Sequence, residues 1–105
     1  MAAYFIAHRR EIKDSKTLKS YDGVDQTLQP YGGKVLVRAD EFAVLEGDWH
    51  PGVRKGVDTE PGRITVIAFP DMASLRRWYD GPEYAGLKRV RLDSASADAV
   101  AVETA

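Results

Sequence analysis

The segment 63–69, Arg-Ile-Thr-Val-Ile-Ala-Phe, constrains the fold most, because it predicts a strand with two apolar faces. Successive residues of a strand point to opposite sides of the sheet. Its apolar residues divide into Ile64, Val66 and Ala68 on one side, and Ile67 and Phe69 on the other. A sheet with one face in water alternates apolar and polar residues instead. The segments 5–6 and 35–37 repeat the two-faced pattern, so both faces of the sheet need a cover.

Three further segments predict strands by their alternation and their β-branched residues: 3–9, 34–38 and 97–103. Residues 42–46 are predicted to continue the second strand or to pair with it. A bulge or a tight turn at residues 39–41 would separate the two pieces.

Apolar residues three or four positions apart predict a helix that begins at Asp14 or Ser15 and ends at Gly32-Gly33. Pro30 is expected to kink or end this helix. A second helix runs from its cap at Asp71 to about Asp80, and a short helical piece covers residues 83–92.

The predicted order is strand, helix, strand, strand, helix, strand. This order predicts a single α+β domain over residues 1–105, with the ferredoxin-like βαββαβ topology and an antiparallel four-stranded sheet. Two helices cover only one face of such a sheet. The other face would expose several hundred Å² of apolar surface, more than monomers usually leave bare. We therefore predict a homodimer whose sheets meet face to face; the alternative is a mildly apolar face covered by the long loop.

The composition excludes several classes of function. Lys and Arg total 15 against 16 Asp and Glu, which argues against a nucleic-acid partner and against binding to anionic membranes. The absence of cysteine excludes disulfides, thiolate nucleophiles and zinc–thiolate sites. No apolar run approaches the roughly 20 residues of a membrane span. The N-terminal residues do not resemble a signal peptide, so the expected location is the cytoplasm.

Two residues are candidate catalytic bases. His8, at the end of the first strand, is either a general base at the mouth of a pocket or a satisfied edge histidine. Glu46 and Arg38 end two neighbouring predicted strands, where they form an exposed ion pair or present a charge to a ligand. The two histidines lack the spacing of metal ligands, and no phosphate-binding glycine motif is present, so neither a metal nor another cofactor is predicted.

Candidate binding residues follow the second helix. Trp78, Tyr79 and Tyr84 surround Gly81-Pro82 and belong either to the core or to the rim of a pocket. Arg91 lies one residue off an apolar helical stripe and can point inward to meet an anion. The loop 47–62 is long enough for a lid. Trp49 and His50, at its beginning, would form part of that lid; the alternative is a loop anchored by one aromatic residue.

Short motifs in a fixed order resemble the family called domain of unknown function 1330. They are Tyr31-Gly32-Gly33-Lys34, Val37-Arg38, Leu45-Glu46-Gly47-Asp48-Trp49, Ile67-Ala68-Phe69-Pro70-Asp71, Arg77-Trp78-Tyr79, Pro82-Glu83-Tyr84 and Arg91. The resemblance covers almost the whole chain and implies a dimeric α+β barrel. That superfamily includes cofactor-free monooxygenases, muconolactone isomerase and ligand-binding regulatory domains, so the fold does not fix the function. The stretch 52–61 is a departure, because family members usually reach the next strand sooner.

Three hypotheses follow. The first is a cytoplasmic homodimer that binds a compact organic anion between sheet and helices, with Arg38 or Arg91 meeting the charge and Tyr79 or Tyr84 orienting the ligand. The second is an enzyme without cofactor, an isomerase or a monooxygenase-like protein, with His8 or Glu46 as its base. The third is a structural dimer module without a ligand.

Overall fold

The computed structural model describes residues 2–12, 23–47, 49 and 62–104. Its elements, in chain order, are strand β1 (Ala3–Ile12), helix α1 (Val24–Leu28) with a 3-10 turn (Gln29–Tyr31), β2 (Lys34–Ala39), β3 (Arg63–Phe69), α2 (Met72–Tyr79), α3 (Pro82–Ser94) and β4 (Ala95–Glu103). The predicted beginning of the first helix, at Asp14 or Ser15, lies outside the described residues. So do residues 50–61 of the long loop, which include His50.

The four strands form one antiparallel sheet in the order β2-β3-β1-β4. The first and third strands lie in the centre, and the last strand returns beside the first. This arrangement confirms the predicted ferredoxin-like α+β fold. It also places β1 and β3, the two strands with neighbours on both sides, at the middle of both faces of the sheet.

Capping and helix-breaking residues lie at the helix ends that the sequence predicts. Pro30 falls in the 3-10 turn, and Gly32 follows with a φ of 74° that favours glycine. Asp71 caps α2, and its Oδ1 accepts a hydrogen bond from the backbone N–H of Ser74 at 2.7 Å. The helical piece predicted over 83–92 is α3, which is a full helix of 13 residues.

The predicted strand at residues 42–46 is wrong: this stretch is irregular. Asp40, directly after β2, forms an ion pair with Arg63 at the start of β3. Beyond that pair the chain crosses toward β1, where the Phe42 ring lies 6.0 Å from the His8 ring. This path leaves the edge of β2, so the segment does not extend the sheet.

The core fills the space between the helices and one face of the sheet. Its largest fully buried side chains are Trp78, Tyr84, Phe69 and Leu75. The Trp78 indole Nε1 donates a hydrogen bond to Thr27 Oγ1 at 2.9 Å, and Thr27 Oγ1 donates to the Val24 carbonyl at 2.6 Å. The one polar group of this tryptophan is therefore satisfied inside an apolar core.

The opposite face of the sheet is apolar and open over much of its area. Ile6 of β1 lies between Val66 of β3 and Val100 of β4 in the register of the strands. Val100 is 55% exposed and Val102 is 42% exposed. The described helices pack on the other side, so none of them covers this outer face. Its apolar character agrees with the two-faced strands predicted from the sequence.

Candidate anion-binding site

A cavity of about 280 Å³ lies between the helix-facing side of the sheet and the helices α1 and α3. Of the ten described residues that line it, five are apolar: Phe5, Ala7, Val24, Ile67 and Ala97. The other half is cationic apart from one hydroxyl: Arg9, Arg38, Arg63, Arg91 and Thr65. Such a mixture suits a small molecule that has an apolar body and carries negative charge.

Along β1 and β3 the side chains that line the cavity change from apolar to cationic. Phe5 lies opposite Ile67, Ala7 opposite Thr65, and Arg9 opposite Arg63. These six residues share the helix-facing side of the sheet because they alternate with outward residues. One end of the cavity is therefore apolar, and its other end carries two arginines on neighbouring strands.

A β-bulge brings Arg38 to the same side. Val35 pairs with Ile67, but the register then shifts, so that Val37 pairs with Val66 and Arg38 with Thr65. Without the extra residue, Arg38 would point to the outer face. The bulge therefore converts an outward position of β2 into a third cationic position on the cavity wall.

Two of the arginines are held by aspartates at the rim. Arg38 makes two hydrogen bonds to Asp25, at 2.6 and 3.2 Å, which join β2 to α1. Arg63 makes two to Asp40, at 2.6 and 3.0 Å. Each guanidinium holds the pKa of its aspartate below the usual range, chiefly through these hydrogen bonds.

These lowered pKa values predict an acid sensitivity. A carboxyl whose pKa is lower in the folded state stabilises the fold above its unfolded pKa and loses that contribution as the pH falls through the folded value. Wild-type protein should therefore lose unfolding free energy below about pH 4. Thermal melts from pH 7 to pH 2 should show a smaller acid-induced decrease in Asp25→Asn and Asp40→Asn. Equal pH profiles in wild type and in both variants would contradict a role for these pairs.

Arg91 is the most deeply buried of the four arginines. It is 9% exposed, and its guanidinium carbon lies 5.9 Å from the centre of the Phe5 ring. Its Nε is buried and has no hydrogen-bond partner among the described residues. Buried polar groups are nearly always hydrogen-bonded, and Arg91 lines the cavity, so this guanidinium is a candidate contact for a ligand bound there.

The structure brings two of the sequence candidates, Arg38 and Arg91, to this cavity. Three others belong to the core behind it: Trp78 stacks on Tyr84 with ring centres 4.2 Å apart, and Tyr79 lies 5.9 Å from Phe5. None of these three aromatic residues is among the described lining residues. They pack behind the Phe5 side of the cavity.

Neither candidate base lies at the cavity. His8 points to the outer face, where its ring stacks on that of Trp49 with centres 4.6 Å apart. The strand alternation that places Ala7 and Arg9 in the cavity necessarily turns His8 away. Glu46 is exposed in the irregular stretch after β2, so the prediction that it ends a strand is wrong. Arg38 binds Asp25.

Sequence reasoning missed three polar lining residues: Arg9, Arg63 and Thr65. A usable signal was present, because Arg9 has the strand parity of Phe5, and Arg63 and Thr65 have that of Ile67. No role was assigned to these three residues from the sequence. Only the pairing of β1 with β3 shows that two of them meet.

The family described as Domain of unknown function (DUF1330) matches residues 2–105. This chain belongs to that family. The match covers nearly the whole sequence and confirms the resemblance carried by the short motifs. No curated protein matches the DUF1330 chain in sequence.

Solved structures share the fold of this DUF1330 chain at low sequence identity. A protein of unknown function from Rhodopseudomonas palustris is 10% identical, with a TM-score of 0.69 over 99% of this chain and 83% of that one. The cofactor-independent oxygenase SnoaB from Streptomyces nogalater is 8% identical, with a TM-score of 0.63 over 99% and 93%. A dimeric ferredoxin-like protein of unknown function from Jannaschia sp. CCS1 is 11% identical, with a TM-score of 0.61 over 99% and 100%.

No described helix has the length and apolar character needed to cross a bilayer. No group of three or more potential metal ligands among histidine, cysteine, aspartate and glutamate occurs in the described part of the chain.

Proposed function

We propose that this protein is a homodimer that binds a compact organic anion in the cavity between sheet and helices. The observation that carries the proposal is Arg91, a buried residue that lines the cavity and whose Nε has no hydrogen-bond partner among the described residues. A carboxylate accepts such an N–H and at the same time neutralises the guanidinium. Arg91 is the residue that would meet the ligand's charge, and Phe5 and Ile67 would contact its apolar part.

The cavity size supports a compact ligand. A volume of about 280 Å³ lies near the lower end of the range for small-molecule sites, roughly 300–1,000 Å³. Such a volume accommodates a single substituted ring or a short branched chain. It does not accommodate a dinucleotide, in keeping with the absence of a phosphate-binding glycine motif from the sequence.

Binding can be tested with benzoate, a single ring that bears one carboxylate. Titration calorimetry should detect binding to wild type, and Arg91→Met should weaken it about 10- to 100-fold, as expected for the loss of a charge-assisted hydrogen bond. Arg89→Met is the matched control, since the Arg89 side chain lies on the same helix but is 83% exposed. Undetectable binding, or equal losses in the two variants, would refute the proposal for this cavity.

The homodimer is supported by the outer face of the sheet and by relatives of the same fold. Ile6, Val66 and Val100 form an apolar row across three strands on that face. The structure from Jannaschia is described as dimeric. A two-fold axis through this face would cover the exposed row with its own copy. The cytoplasm stays the expected location.

A second candidate function is an enzyme without cofactor. The specific observation in its favour is the shared fold with SnoaB, described as a cofactor-independent oxygenase. At 8% identity this likeness concerns the fold and carries no catalytic residue. His8 and Glu46, the predicted bases, lie away from the cavity, so anion binding is the function that the geometry favours.

A further inference from the structure

Thr65 is the single uncharged polar residue among the ten described residues that line the cavity. It belongs to β3, where it is the only polar residue between Arg63 and the end of the strand at Phe69. The side of β3 on which it lies faces the helices, and the adjacent residue on that side, Ile67, is buried. Valine has nearly the same shape as threonine and suits a strand equally well, so strand formation alone does not account for this hydroxyl.

Thr65 has a small side chain on one side and an ion pair on the other. Ala7 lies opposite it on β1, and Arg38 lies opposite it on β2. Ala7 has only a methyl group, so it does not fill the space in front of Thr65. Arg38 binds Asp25 through two hydrogen bonds, so its positive charge already has a carboxylate beside it. The wall around Thr65 therefore suits an uncharged polar group better than another carboxylate.

Thr65 and Arg91 lie at different points along the cavity. The Arg91 guanidinium carbon is 5.9 Å from the centre of the Phe5 ring, and Phe5 lies opposite Ile67 in the register. Thr65 is two residues from Ile67 on the same side of β3, a separation of about 7 Å along the strand. A ligand whose carboxylate meets Arg91 and whose body lies on Phe5 would therefore present its far end to Thr65.

We propose that the ligand is a hydroxy acid, a compact organic anion with an uncharged hydroxyl on its apolar body, and that Thr65 selects this hydroxyl. This inference rests on the proposed anion-binding function and specifies its ligand. Arg91 binds the carboxylate, and Thr65 forms a hydrogen bond with the ligand's hydroxyl. A threonine hydroxyl offers one donor and two acceptor positions, so it can bind a hydroxyl in either direction. A site that binds a ligand hydroxyl in this way discriminates against the analogue that lacks it.

Three ligands and one substitution form a thermodynamic cycle for this hydrogen bond. Benzoate, 3-hydroxybenzoate and 4-hydroxybenzoate share the ring and the carboxylate, and their phenol hydroxyls stay uncharged at pH 7. Calorimetric titration of wild type should show at least one hydroxybenzoate binding about three- to tenfold more tightly than benzoate, the contribution of one hydrogen bond. Thr65→Val keeps the shape of the side chain and loses the hydroxyl. In this variant the preference should fall below about twofold, while the affinity for benzoate stays within about twofold of wild type.

A matched variant separates the hydroxyl from the shape of the side chain. Thr65→Ser keeps the hydroxyl and loses the methyl group, so it should retain the preference for the hydroxybenzoate that wild type favours. Circular dichroism and thermal melts check that both variants fold. If Thr65→Val does not fold, Thr65→Ala, which also removes the hydroxyl, takes its place in the cycle.

The outcomes separate this inference from the function on which it rests. Equal affinities of wild type for all three ligands, each weakened by Arg91→Met, would overturn the hydroxy acid and leave anion binding intact. A hydroxyl preference that survives in Thr65→Val would overturn the assignment of Thr65. Loss of the preference in Thr65→Ser as well would trace it to the shape of the side chain and would also overturn the assignment. Failure of all three ligands to bind would refute the proposed function itself.

Discussion

Replacing Trp78 with alanine should lower the free energy of unfolding by about 3–5 kcal/mol. Trp78 is fully buried and stands at the centre of the aromatic core, with its ring centre 5.3 Å from those of both Phe5 and Phe69. Truncation would remove these contacts and leave a cavity that the surrounding rings cannot fill. It would also remove the indole N–H that donates to Thr27. Urea denaturation of wild type and variant measures the difference.

The other tryptophan provides the control. Trp49 is 49% exposed and stacks on His8 at the outer face, so Trp49→Ala should cost well under half as much. Trp78→Phe should fall between the two, because it keeps most of the apolar volume and loses the hydrogen bond to Thr27. A loss below about 1 kcal/mol in Trp78→Ala would contradict the placement of this ring at the core.

The fold was predictable because its signals are local and repeated. The apolar strand 63–69, the glycine stop after Tyr31 and the cap at Asp71 each specify an element without knowledge of the rest of the chain. The failure at 42–46 has a different origin. Val44 and Leu45 have the composition of a strand, but β2 ends at Ala39 and the stretch that holds them is irregular, which composition alone does not reveal.

The candidate site was only half predictable because it depends on register. Arg91 was found because helical spacing places it beside an apolar stripe, and a helix keeps that spacing throughout. Arg38 points into the cavity because of a bulge between Val35 and Val37, and the sequence of β2 does not predict that bulge. Arg9 and Arg63 become neighbours only when β1 and β3 are aligned. Strand pairing is set by contacts between distant parts of the chain, which alternation alone does not fix.

Charged substitutions on the outer face of the sheet should strongly weaken the dimer. Val100→Asp combined with Val102→Asp should raise the dimer dissociation constant more than about 100-fold, because each two-fold interface would then bury four carboxylates without partners. Both valines are among the most exposed apolar residues of the sheet, so the variant should cost the folded protomer little. Sedimentation at micromolar concentration should show a dimer for wild type and a monomer for the double variant.

A control variant places an aspartate on the helical side of the protein. It tests whether an added surface charge by itself weakens the dimer. Leu92 of α3 is 59% exposed and lies on the layer opposite the outer face. Leu92→Asp should therefore remain dimeric, with a melting temperature close to that of wild type. A monomeric wild type would leave the row formed by Ile6, Val66 and Val100 open to water and would refute the face-to-face dimer. If Leu92→Asp dissociated the dimer and the double valine variant did not, the interface would lie on the helices. A charge weakens a dimer most where the interface buries it and removes its hydration.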